Sequence, residues 1–338
     1  MQIDRKELLA ALDAAAPGLA KKEGVEQAQC FVFLGDEVMA YNDEVCVLIP
    51  YKSEFTGAVK AEEFQKLCRK LKGDTIDVDI NGNMLQVKTK TMKAEIPLEA
   101  DIADHLANFT LPETEDFQPL PTDFAEALRT CAFSAATALD RPILTCIHMA
   151  GNKATSTDGI RITQYKMDAE VKEPFLVPAM AAAQLAKQAP TNYAVGKDGW
   201  LYFAATDEAG EAVFCTRTYA EEYPDVTEHI KVKGEEVQLP KNLKDILERA
   251  NIFAASTAKE VPRVKVTLSG GVVLVEAKGA GGQVKERAKV EYAGADLCFT
   301  VRPEVLIAAA GLSDTVVVGE RSLKLKAAKF IHVVSVLA

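Results

Sequence analysis

With 338 residues, 48% hydrophobic and 26% charged, and a formal net charge of -10, the chain is long enough for two or three cores. It is too acidic to coat nucleic acid with its whole surface, although a locally basic face stays open. Its 20 Gly and 14 Pro form no low-complexity tract, which excludes a disordered or fibrous chain.

The first nine residues carry charges where a secretion signal would carry an apolar core, and no run of about 18 apolar residues occurs. Cytoplasmic residence and no membrane partner are expected. Seven cysteines, at 30, 46, 68, 131, 146, 215 and 298, form no Cys-x-x-Cys pair. They read as reduced, mostly core thiols, with neither a disulfide framework nor a zinc site.

In chain order, Asp4 opens a helix with apolar positions Leu8, Leu9 and Leu12. A strand over 55–59 leads into a second helix over 61–71, with a stop at Gly73. A hairpin follows, 76–80 with 84–87 across Asn81-Gly82, and a strand over 93–96 closes the set. The polar, Pro-bearing stretch 111–121 reads as a linker.

The same order then recurs. A helix begins near Thr122 (Phe124, Leu128, Cys131, Ala132), with a strand at 174–177, a second helix at 178–188, a hairpin of 193–195 with 200–203, and a closing strand at 213–219. After a linker over 223–240 comes a helix near Lys241 (Leu243, Ile246, Leu247, Ala250). A strand at 297–301, a helix at 303–311, a hairpin of 315–318 with 323–325, and a closing strand at 331–337 complete the chain. Helix starts lie about 118 residues apart, which marks a threefold internal repeat. Three α+β domains over 1–113, 114–234 and 235–338 are expected, each with two helices on one face of antiparallel sheets.

Catalytic signatures are missing from the sequence. His105, His148, His229 and His332 have no metal-ligand spacing, and there is no Gly-x-Ser-x-Gly elbow or Gly-Lys-Ser/Thr phosphate loop. Gly279-Ala280-Gly281-Gly282 lies between strand patterns and reads as a hairpin loop. Asp158 with Arg161 reads as a local ion pair at a turn. No enzyme activity, cofactor or metal is expected.

Thr157-Asp158-Gly159-Ile160-Arg161-Ile162, early in the middle repeat, resembles the Thr-Asp-Gly-His-Arg-Leu segment of the bacterial DNA polymerase sliding clamp, the DNA polymerase III beta subunit. Val59-Lys60-Ala61-Glu62-Glu63-Phe64 with Leu67-Cys68-Arg69 is similar to its second helix. Glu222-Tyr223-Pro224-Asp225 resembles its Phe-Pro-Asp boundary, and Val290-Glu291-Tyr292-Ala293-Gly294-Ala295 and Val333-Val334-Ser335-Val336-Leu337 extend the likeness to the end. No single motif is decisive, but their order within a triple repeat is specific.

The resemblance implies a ring around duplex DNA, closed by a head-to-tail homodimer. Helices about 10 Å wide, six per chain, would enclose a hole with roughly 9 Å clear, whereas twelve give about 28 Å. Only the pair passes a duplex of roughly 20 Å. Helix cations should then face the hole: Lys60, Lys66, Arg69, Lys70, Lys72, Arg129, Lys187, Lys241, Lys244 and Arg249, with Lys21, Lys22 and Arg141 on loops. Ordinary solvated helix faces are the plain alternative.

The resemblance further implies a groove that takes hydrophobic peptides of DNA polymerase, clamp loader and other clamp-binding-motif proteins. It maps to Leu144, Thr157, Gly159, Ile160, Arg161, Ile162, Pro224, Ser322, Val333, Ser335, Val336 and Leu337. Ile160 stands where the family often has His, Glu228 and His229 follow Pro224 where Arg and an apolar residue are usual, and the tail lacks a Pro-Met pair. A shifted peptide preference is the consequence. Ring closure maps to Ile96 and Leu98 of one chain against Ile252 and Phe253 of the other. A repeat scaffold that binds peptides without encircling DNA is the alternative, and an unrecognised enzyme the third reading.

Overall fold

The computed structural model describes residues 1–20, 26–99, 111–197, 199–208, 210–257, 260–311 and 313–337. Six helices occur among them: α1 (Arg5–Ala15), α2 (Ala61–Lys70), α3 (Phe124–Ala132), α4 (Ala179–Gln188), α5 (Leu243–Ala254) and α6 (Pro303–Ala310). The chain forms two compact units, Met1–Ala125 with Val171–Ala220, and Glu126–Glu170 with Glu221–Ala338.

In the first unit, α1 starts where the Asp4 carboxylate accepts the amides of Lys6 and Glu7 at 2.7 and 3.0 Å. Leu8, Ala11, Leu12 and Ala15 recur at helical spacing and are buried. On α2 the buried residues are Ala61, Phe64 and Cys68, with the Phe64 ring 6.1 Å from Phe33. Truncating such a ring to Ala costs about 3–5 kcal/mol. Burial pushes the Cys68 thiol up to about 12, so it stays protonated.

Two antiparallel sheets organise this unit. One runs Gln2–Asp4, Thr75–Asn81, Met84–Lys88, Lys93–Pro97. The other runs Thr56–Lys60, Cys30–Leu34, Glu37–Asn42, Val45–Pro50, Gly210–Arg217, Trp200–Asp207, Asn192–Val195, Gln118–Pro119. Its middle is a join between strands of the first and second repeats, with Cys46 opposite Cys215. Both faces of Val45–Pro50 are buried there, which is why its sequence is an unbroken apolar run.

The second unit is built on the same plan. One sheet includes the succession Cys146–Ala150, Lys153–Thr157, Arg161–Lys166, Phe330–Ser335, Ser322–Lys326, Thr315–Val318, Glu235–Gln238. Its join pairs a second-repeat strand with a third-repeat one. The other sheet runs Gly282–Lys289, Val272–Gly279, Val264–Ser269, Leu297–Val301. Leu243, Ile246, Leu247 and Ala250 of α5 pack with Val305 and Leu306 of α6 in one core.

Several expected details shift. Asn81 pairs with Met84, so the turn residues are Gly82 and Asn83, and Gly82 leads at φ 59° as in a type II′ turn. The two stretches expected as linkers each carry a strand: Gln118–Pro119 pairs with Asn192 and Tyr193, and Glu235–Gln238 with Thr315–Val318. Their polar sequence reflects sheet-edge positions, where only one side of the backbone is paired. The Gly279-Ala280-Gly281-Gly282 hairpin forms, with Gly279 opposite Gly282.

Candidate functional site

Thr157-Asp158-Gly159-Ile160-Arg161-Ile162 is a tight connection between Lys153–Thr157 and Arg161–Lys166, with Thr157 opposite Ile162. Asp158 Oδ1 accepts the amides of Ile160 and Arg161 at 2.9 and 3.0 Å, and Oδ2 meets Arg161 Nε at 3.0 Å. The Thr157 hydroxyl donates to the Arg161 carbonyl at 2.7 Å and accepts the Gly159 amide at 3.1 Å. Gly159 sits at φ 85° with nothing around its missing Cβ, so its requirement is conformational.

The C-terminal strand brings the remaining positions alongside. Ile162 stands opposite Val333, Ser322 opposite Ser335, and the Ser335 amide donates to the Ile160 carbonyl at 2.9 Å. Val336 and Leu337 donate to Arg321 and Thr300 carbonyls at 3.0 and 2.7 Å. Leu144 lies in the short helical turn Pro142–Thr145, buried at 7%. Pro224 is exposed beside Tyr223, whose hydroxyl accepts the Thr157 amide at 2.9 Å and whose ring stacks 5.1 Å from His148.

All twelve expected groove positions therefore fall within the second unit, but not all on one face. Ile162 and Val333 share a face. Arg161 goes to the other, its guanidinium 5.7 Å over the Phe133 ring. Beneath it, Ser134, Thr163 and His332 form a buried polar chain, with Oγ–Oγ1 at 2.6 Å and Oγ1–Nδ1 at 2.8 Å. Burial lowers the His332 imidazole to about 4, and Arg161 adds to this while Asp158 opposes it. Neither this chain nor the Tyr223 contact is readable from local pattern, since the partners are remote in sequence.

The basic positions are more varied than expected. Lys60 ends the strand Thr56–Lys60, Lys72 follows α2 after an extended Leu71, and Lys241 precedes α5, so these three flank helices. Sheet pairing of Lys60 with Cys30 holds it extended. Several helix cations already hold carboxylates: Lys66 with Glu62, Arg69 with Asp13 at 2.5 Å, Lys244 with Glu248 at 4.0 Å, and Arg249 with Glu286 at 2.6 Å. Lys70, Arg129, Arg141 and Lys187 are exposed. Lys21 and Lys22 lie outside the described residues.

The four expected contact positions also differ among themselves. Ile252 is 68% exposed on α5. Phe253 is half-buried against the third-repeat core. Ile96 and Leu98 are half-buried, with Leu98 against the backbone of Gly57. Among the described residues no group of three His, Cys, Asp or Glu could hold a metal ion, and no helix is long and apolar enough to cross a membrane.

Neither a protein-family model nor a curated protein matches the sequence. Solved structures do. The DNA polymerase III beta chain of Streptococcus pneumoniae TIGR4 superposes with TM-score 0.86 at 18% identity, covering 100% of this chain and 99% of that one. The DNA polymerase sliding clamp of Bacillus subtilis gives 0.83 at 14%, covering 100% and 98%. The Pseudomonas aeruginosa sliding clamp bound to griselimycin gives 0.83 at 17%, covering 100% and 99%. The chain has the sliding-clamp fold from end to end.

Proposed function

We propose that this chain, with the sliding-clamp fold over its full length, is a DNA sliding clamp. On this reading it is a non-enzymatic processivity factor that encircles duplex DNA as a homodimer. One relationship between strands carries the proposal. Val45–Pro50, Arg161–Lys166 and Gly282–Lys289 are the same strand of successive repeats, and Lys93–Pro97, Gly210–Arg217 and Phe330–Ser335 are the same closing strand. Two strands of the first kind are joined to two of the second, Val45–Pro50 to Gly210–Arg217 and Arg161–Lys166 to Phe330–Ser335.

One strand of each kind is left over. Among the described residues, Gly282–Lys289 and Lys93–Pro97 are both outer strands of four-stranded sheets, each paired with a strand on one side. A second copy supplies the complementary strand for each, and the contact made twice closes a two-fold ring. Side chains support the match. Ile252 is 68% exposed and would find an apolar neighbour in Ile96, while Arg287 and Lys289 are exposed along the Gly282–Lys289 edge.

Within such a ring, the helix cations would meet phosphates through water, without reading sequence, so retention is topological and sliding is unhindered. The half-buried Ile162, with the buried Val333 opposite it and the pinned loop at Thr157, would take the peptides of polymerase, clamp loader and other clients. That a clamp of this fold was solved with griselimycin bound supports ligand binding in general.

Sedimentation and a DNA-retention assay test the proposal together. A dimer that stays on circular DNA and runs off linear ends is the expected result. A monomer at micromolar concentration that still captures peptides would favour an open scaffold and overturn the ring.

A further inference from the structure

Strand pairing sets Ile162 opposite Val333 and Val333 opposite Lys324, so three side chains stand in one row on one sheet face of the second unit. The first two are apolar. The third is a lysine, half-buried like Ile162, whereas Val333 between them is buried.

Lys324 Nζ donates to the Ile230 carbonyl at 2.8 Å, in the turn that follows Pro224. An ammonium has three donors. Among the described residues, the Ile230 carbonyl is its one acceptor, and nearby carboxylates are committed elsewhere. Glu236 holds Lys326 at 3.4 Å, Glu228 holds Lys231 at 2.5 Å, and Asp225 accepts the Thr227 amide at 2.9 Å. Burial, with Lys326 nearby, holds the Lys324 amine below the ordinary lysine value. A half-buried cation with unused donors is poorly compensated until an anion arrives.

We propose that Lys324 is a specificity-determining residue of the peptide groove, taking the Asp or Glu side chain of a bound peptide whose apolar side chains cover Ile162. This rests on the peptide-groove reading given under the proposed function. The charge selects an acidic side chain over its amide, and the bond to Ile230 holds the amine in place.

The test uses the full-length chain and acetylated, C-terminally amidated hexapeptides with two leucines, in which one Asp, or Asn in its place, is moved along the sequence. Blocked termini exclude a terminal carboxylate as the ligand. Fluorescence anisotropy at low salt should show one Asp register binding about tenfold more tightly than its Asn counterpart, the scale of a charge-assisted hydrogen bond. Lys324→Gln, which can still donate to Ile230, should erase the preference, and Lys324→Arg should keep it.

Equal binding of Asp and Asn peptides in every register, unchanged by Lys324→Gln, would overturn the role of Lys324 while leaving the groove in place. If no peptide binds the wild-type chain although it is retained on circular DNA, the groove reading fails and takes this inference with it. Matching unfolding curves for the variants keep a folding defect from imitating either result.

Discussion

The hydroxyl of Tyr223 accepts the backbone amide of Thr157 at 2.9 Å, pinning the turn at the head of the groove to the segment that leads to Pro224. Tyr223→Phe keeps the stack on His148 and removes the acceptor, together with the long 3.5 Å bond that the hydroxyl donates to the Cys146 carbonyl. It should cost about 1 kcal/mol locally, read as faster hydrogen exchange at the Thr157 amide. Unchanged protection there would show that the contact does not hold the turn.

Ile252 and Phe253 are neighbours on α5 with opposite commitments, one 68% exposed and the other packed on the core. Ile252→Asp should yield monomers by sedimentation with an unaltered unfolding curve, since exposed sites rarely matter to folding. Phe253→Ala should lower stability as well, by about 2–4 kcal/mol for a partly buried ring. A dimer surviving Ile252→Asp would remove that residue from the contact.

His332 makes the fold sensitive to acid. Its folded-state value of about 4 lies below the ordinary 6.5, so the unfolded chain binds a proton that the folded chain refuses. This stabilisation is complete above about pH 6.5, is lost as pH falls towards 4, and changes little below that. The loss should approach about 3 kcal/mol. Urea titrations at pH 7 and 4.5 should show a smaller loss for His332→Gln than for wild type; equal losses would assign the acid sensitivity elsewhere.

Lys70 and Lys72 are exposed at and beyond the end of α2. Reversing both to Glu should shorten retention on circular DNA and flatten its salt dependence, with stability changed by less than about 0.5 kcal/mol. Unaltered retention across a salt series would take both lysines off the DNA-facing surface.

The helices, the hairpins and their threefold recurrence were legible because helical and strand periodicity are properties of short windows. So was the Asp158–Arg161 pair, whose partners are three residues apart. The polar edge strands Gln118–Pro119 and Glu235–Gln238 were not, because runs of two and four residues are too short to show a period. The charge state of the helix faces was also hidden. Arg69 looks like a phosphate ligand in its own helix, but it holds Asp13, 56 residues away.

By itself, then, the sequence determined three copies of one α+β pattern in an acidic chain. Local sterics and burial periodicity suffice for that. Only the tertiary structure decided which strands join across repeats, as at Cys46 and Cys215, and which stand at the sheet edges. It alone set Lys324 in line with Val333 and Tyr223 against Thr157, because those encounters depend on long-range register, for which no short window of residues carries a signal.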